Sequence, residues 1–288
     1  MQHLPEFTER ALFCGPRHST STFMKRWIPF LKSNPTVAVV RMTGVIASGA
    51  RGALNDAGVA PMLERAFARG KPDAVALMIN SPGGSPVQTS LIAARIRRLA
   101  VEKDVPVIAF VEDVAASGGY WLACAADEIW VDASSVVGSV GVISAGFGFD
   151  EFIKRHGVER RVHTAGKSKS LLDPFQAEKP EDVARLRAIQ EDIHAAFIAY
   201  VQERRAGKLH TETDLFTGDI WVGASAVNLG LADGVGHLVP MMKERFGDKV
   251  KFRSYGLRRS VWQRLSARAV DGAIEQIEER AQWARFGL

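Results

Sequence analysis

Apolar runs of strand length alternate with longer stretches of helical spacing, and this alternation is the tightest constraint on how the chain can fold. The runs at 37–42, 74–80 and 105–111 are almost wholly apolar, as expected of strands buried on both faces. Between them Leu63, Ala66 and Phe67, and later Ile92, Ile96 and Leu99, recur at the intervals of one helix face. Strands alternating with helices imply parallel pairing through crossovers, an α/β fold. Further strands are expected at 128–132, 140–144 and 161–164, a helix at 120–126, and a long helix over 181–204 entered at Pro180. The first 35 residues lack sustained periodicity and read as a flexible basic leader. Residues 36–250 read as the folded domain. Residues 251–288 read as a basic tail, helical in spacing from Trp262 to Ala284.

Charge location sharpens the choice of function. The net charge is +5, yet residues 1–33 carry +3 and residues 251–288 carry +4. The body is therefore slightly acidic, and nucleic acid is not an expected partner. Basic and aromatic residues do mix at 25–30 and 258–265, which suits peripheral contact with an anionic lipid surface or docking on a neighbouring subunit. No run is long enough for a spanning helix, and no secretory signal is seen. The expected location is cytoplasmic, peripheral at most to the inner membrane. Only Cys14 and Cys124 are present, too few for a disulfide framework or a zinc site. No metal or cofactor is expected, and Cys124, in an apolar context, reads as a packing thiol.

Three segments carry chemistry. Asn80-Ser81-Pro82-Gly83-Gly84 follows a strand and precedes a helix. Its glycines allow backbone N–H groups to face a developing oxyanion, or simply make a β-to-α turn. Ala115-Ala116-Ser117-Gly118-Gly119-Tyr120 follows the next strand and opens a helix. There a serine is either a nucleophile aided by the helix dipole or an N-cap. A nucleophilic serine needs a base. Of the seven histidines none lies between residues 19 and 155, and no His–Asp pairing stands out. Lysine is the other candidate base, and it works only when burial or positive neighbours favour its neutral form. Lys167 and Lys169 both precede the apolar stretch Leu171-Leu172 with Asp173-Pro174-Phe175. Solvated surface lysines are the plain alternative.

The order Asn-Ser-Pro-Gly-Gly, Ala-Ala-Ser-Gly-Gly-Tyr, Gly-Ser-Val-Gly-Val-Ile (138–143) and Gly-x-x-Lys-Ser-x-x-Asp-Pro-Phe resembles the signal peptide peptidase A family, and its short SohB-like members most. The resemblance covers roughly residues 36–245. It implies a crotonase- or Clp protease-like fold, with ββα units, a parallel sheet and packed helices, and a Ser–Lys dyad. Carried over by motif, Ser117 is the nucleophile, Lys169 the general base, and Ser139 the hydroxyl that orients the lysine. Gly83, Gly84 and Gly118 supply the oxyanion N–H groups. It also implies peptide or protein substrates, such as signal-peptide remnants, and a homo-oligomer. This chain departs from membrane-anchored relatives in showing no N-terminal spanning helix. The rivals are a crotonase-type acyl-CoA enzyme, a Clp-type Ser-His-Asp protease and a catalytically silent oligomeric scaffold. Against the second, Val142-Ile143-Ser144 stands where a histidine is expected.

Overall fold

The computed structural model describes residues 34–48, 53–166, 168–210, 212–256, 280, 281 and 283–287. The chain divides into two units, Met1–Asn34 and Pro35–Leu288, and the architecture below is that of the second. The basic–aromatic segments 25–30 and 258–265 lie outside the described residues, as does Lys167.

The first half of the domain is a run of right-sized βα units. Strand β1 (Thr36–Thr43) leads to α1 (Asp56–Ala68), β2 (Ala74–Ser81), α2 (Pro86–Lys103) and β3 (Val107–Ala116). Helix α1 buries Val59, Met62, Leu63, Ala66 and Phe67, an apolar stripe at helical spacing. The Asn55 side chain caps it by accepting from the Gly58 amide at 2.9 Å. Helix α2 opens with Ser85 as N-cap and Pro86 in its first turn, where a missing N–H costs nothing. β1, β2 and β3 pair in parallel. Side chains alternate between two cores: Ala38, Val40, Val75 and Leu77 face one, while Val37, Val39, Ala74 and Ala76 face the other. Cover on both sides is why these strands read as continuous apolar runs.

Beyond β3 the sheet forks. Residues 108–111 of β3 pair with β4 (Glu128–Val131), and 114–116 pair with β5 (Val136–Gly138). Between β3 and β4 runs the short helix α3 (Gly118–Cys124), every residue of which is buried. After β5 comes α4 (Asp150–Arg155), then α5 (Pro180–Arg204), β6 (Ile220–Val222), α6 (Gly223–Asn228), β7 (Gly234–Val235), α7 (Leu238–Phe246) and β8 (Lys251–Tyr255). β6 is antiparallel to β5, β7 is parallel to β4, and β8 is parallel to β1.

The expected α/β architecture with a largely parallel sheet is present. Three local expectations differ. Residues 140–144 and 161–164 form no strand; the strand at this point is β5, just upstream. Val140 is buried, but from Ile143 onward the chain is mostly exposed and finds no partner strand. Residues 251–255, expected as the start of a tail, are the edge strand β8, with Phe252 packed against one core and Tyr255 against the other.

Helix α5 is tied down at its C-terminal end by ions as well as by the buried Phe197 and Val201. Arg205, 2% exposed, donates from Nη1 to Asp233 at 2.6 Å and from Nε and Nη2 to the Gly230 carbonyl at 2.9 and 2.6 Å. Asp233 also accepts from Lys208 and from the Ile129 amide at the start of β4. Burial alone would raise the Asp233 carboxyl; hydrogen bonds from Arg205, Lys208 and Ile129 outweigh it and hold the group below its ordinary range. Replacing Arg205 by Met leaves Asp233 its bonds from Lys208 and Ile129 but strands the Gly230 carbonyl, and should cost about 1–3 kcal/mol in urea unfolding. The sign of the pH effect follows from the lowered Asp233. Its contribution is complete above the unfolded carboxylate value of about 4, and is lost as pH falls through the lower native value. Asp233→Asn should therefore flatten the acid side of the stability profile; an unchanged profile would count against the network.

Candidate active site

The two glycine-containing turns meet at the C-terminal ends of β2 and β3. Ser117 stands between β3 and α3 with φ 51° and ψ −121°. Few non-glycine residues adopt such a backbone, and holding one there costs on the order of 1–3 kcal/mol. Two hydrogen bonds fix it: the Ser117 amide donates to the Gly138 carbonyl at 2.8 Å, and Trp121 N–H donates to the Ser117 carbonyl at 3.0 Å. The Ser117 side chain makes no capping bond. The N-cap explanation for this serine therefore fails, and its hydroxyl, at the head of a helix, has no hydrogen bond among the described residues.

Gly83 lies directly against it. A Cβ on Gly83 would come within 2.8 Å of Ser117 Cβ and of the Gly118 nitrogen, so no larger residue fits without displacing the serine. A Cβ on Gly118 would reach within 3.4 Å of the Gly84 nitrogen. Ser117, Gly83, Gly84 and Gly118 thus share one small space. The Gly83 amide is engaged by Ser81 Oγ at 3.2 Å. Among the described residues the amides of Gly84 and Gly118 have no acceptor. The rest of the first motif is scaffolding. Ser81 Oγ donates to the Gly44 carbonyl at 2.7 Å, and Asn80 donates to Asp113 and accepts from the Val114 amide across the irregular β2–β3 register.

Pairing of Ala116 with Gly138 brings Ser139 next to this point. Ser139 is 9% exposed with φ 52°, held by its amide donating to the Asp219 carbonyl at 2.6 Å. Its hydroxyl has no hydrogen bond among the described residues. Lys169 makes no hydrogen bond to either serine among the described residues. It lies in an exposed turn, its amide donating to the Gly166 carbonyl, and its side chain makes no hydrogen bond or ion pair among the described residues. Among the described residues no histidine is hydrogen bonded to Ser117 either. A His–Asp pair does exist, His237 with Asp132 at 2.8 Å, but it lies at the start of α7 and makes no bond to Ser117.

Behind the serine the side chains are buried. Burial pushes the Cys124 thiol up to about 12, and pushes the Tyr120 phenol well above its ordinary value. Tyr120 O–H donates to the Leu231 carbonyl. Cys124 is an inert packing group, as its sequence context implies. Trp121 stacks on Phe197 and Tyr200 of α5, so α5 backs the nucleophile turn. His194 belongs to the same face of α5. Its Nε2 donates to the Val140 carbonyl at 3.0 Å, pinning the loop that carries Ser139 and the Gly138 carbonyl. Sequence scrutiny for a His–Asp pair passes over His194. The signal was its spacing, three and seven residues before the buried Phe197 and Val201.

Comparisons with known proteins agree on the type of chain. The model of peptidase family S49 matches residues 100–245. The chain is 49% identical over 286 residues to a Brucella abortus protein named Na(+)/H(+) antiporter NhaA, covering 92% of this chain but only 39% of that protein. That name belongs to the longer protein; no described helix here is long and apolar enough to cross a membrane. A Haemophilus influenzae protein named "Probable protease SohB" is 30% identical over 210 residues, 71% of this chain and 58% of that one. A solved membrane-bound stomatin-specific protease shares the fold, with a TM-score of 0.50 at 16% identity over 81% of this chain and 96% of that one.

His194→Ala should lower kcat about ten- to hundredfold through misplacement of the Gly138–Val140 loop, with KM little changed. His194→Gln, which keeps a donor, should retain most of the turnover. Equal impairment of two folded variants would show that the hydrogen bond is not what matters.

Proposed function

The chain belongs to peptidase family S49, in its signal peptide peptidase A, SohB-like branch, and from that premise we propose that it hydrolyses peptide bonds through an acyl-enzyme on Ser117. The observation that carries the reading is the convergence at Ser117: an uncapped serine on a strained strand-to-helix turn, against Gly83, with the Gly84 and Gly118 amides unengaged. Ser117 Oγ attacks the substrate carbonyl carbon while its proton passes to the base. The carbonyl oxygen, now negative, is met by the Gly84 and Gly118 N–H groups, which act before any reorganisation is needed. Gly83 keeps the space open. Collapse expels the amine with the proton taken from Ser117, and water then hydrolyses the ester.

Lys169 is the base in this reading, with Ser139 Oγ as its orienting partner. The motif register supports Lys169 over Lys167. To accept a proton the ammonium must first lose one, which requires removal from water. The chain's own described residues leave Lys169 exposed, so the cover comes from the bound peptide or from a second copy. Ser117→Ala should fold normally and lose several orders of magnitude in turnover, since nucleophile and base act as a unit. Lys169→Ala should match that loss while Lys167→Ala keeps most activity. The reverse ranking would move the base by two residues.

A homo-oligomer fits the same surface. The excursion between β5 and α5 exposes Ile143, Phe147, Phe152 and Val158 at 56–82%, and the N-terminal half of α5 leaves Ile189 uncovered. Such a concentration of apolar side chains marks an interface, and a second copy there would also cover residues 166–175. The proposed substrates are small or apolar peptides, among them signal-peptide remnants, and the proposed location is cytoplasmic and peripheral to a membrane. Light scattering should give a mass well above 31.4 kDa, falling toward it in a Phe147→Asp/Phe152→Asp double variant. A monomer at micromolar concentration would contradict the assembly.

A further inference from the structure

The fork in the sheet leaves a second concavity that the catalytic reading does not use. It is a cavity of about 510 Å³ whose floor includes Met78, Phe110 and Leu238 and whose rim carries Glu112, Asp113 and Asp132. Its apolar floor belongs with the core under α7, whereas α3 packs into the core on the other side of the sheet. Two of the rim acids have partners, Glu112 the Arg41 guanidinium and Asp132 the His237 ring. Asp113 is met only by the neutral amide of Asn80 among the described residues. The concavity is therefore apolar below and acidic above.

One side of it is closed by the far end of the chain. Phe286 lines the cavity, within a segment wound into turns by Phe286 N–H to the Trp283 carbonyl at 2.9 Å and Gly287 N–H to the Ala284 carbonyl at 3.1 Å. The Arg285 guanidinium lies 5.9 Å from the centre of the Phe286 ring. Arg280 and Arg285 give this end positive charges, the sign that an acidic rim attracts. We propose that the groove is a docking site for an aromatic residue set among arginines, and that its occupant is the chain's own C-terminal end, anchored by Phe286. A single aromatic anchor makes the contact exchangeable rather than part of the core. The inference is independent of the chemistry at Ser117.

Full-length protein carrying Phe286→p-benzoylphenylalanine tests it by photocrosslinking. Crosslinks should form within one chain and map to the peptides containing Met78, Phe110 or Leu238, and an Asp113→Lys/Asp132→Lys background should cut their yield at least fivefold. Crosslinks that join two chains, map elsewhere or match the denatured control would overturn the assignment. A second measurement covers the case in which the bulky probe cannot dock. A fluorescent peptide of sequence 280–288 should bind full-length Phe286→Ala, made in a Ser117→Ala background to prevent cleavage. Its anisotropy should report binding at least tenfold tighter than to the same background with Phe286 in place. Equal or absent binding, or binding that ignores the Asp113→Lys/Asp132→Lys change, would also overturn it.

Discussion

Everything distinctive in this structure depends on β3 changing partners halfway along its length. Residues 108–111 pair with β4 and residues 114–116 with β5, so Glu112 and Asp113 belong to neither ladder. An interruption of that kind leaves backbone groups to be satisfied. Ser135 answers part of the need by donating to the Glu112 carbonyl at 2.5 Å, and the Asn80 side chain answers more by bonding Asp113 and the Val114 amide. The change of partner delivers β5, and with it the Gly138 carbonyl, to the Ser117 amide. On the opposite face the same interruption opens the acidic groove.

Strain at Ser117 and Ser139 persists because the surroundings over-determine it. Five non-glycine residues among those described have positive φ, and two of them are these serines. Helix α3 is buried throughout, Tyr120 is tied to Leu231, Trp121 is stacked beneath α5, and His194 of α5 grips the next loop. Relaxing either serine would disturb that packing, so the cost of the backbone is met by burial elsewhere.

Much of this was legible in the sequence, for reasons that are local. Continuous apolar runs at 37–42, 74–80 and 105–111 announced doubly covered parallel strands, and Pro180 marked the entry to α5. The turns at Gly83-Gly84 and Ser117-Gly118 were visible because small residues were needed where two backbones touch. What was not legible depends on distant partners. Residues 140–144 and 161–164 have strand-like composition, yet pairing is decided by whether another strand lies alongside, and none does. Lys169 has a motif position but no local feature that would bury it. His194 reaches Val140 across a separation that no window of sequence spans.

The central claim is that Ser117 is a nucleophile made reactive by Lys169. Peptide mapping by mass spectrometry after brief exposure of the full-length protein to a fluorophosphonate tests this most directly. The account predicts a single adduct on Ser117, at least a hundredfold slower to form in Lys169→Ala and unchanged in Lys167→Ala. An adduct on another residue, or labelling of Ser117 at the same rate without Lys169, would contradict it.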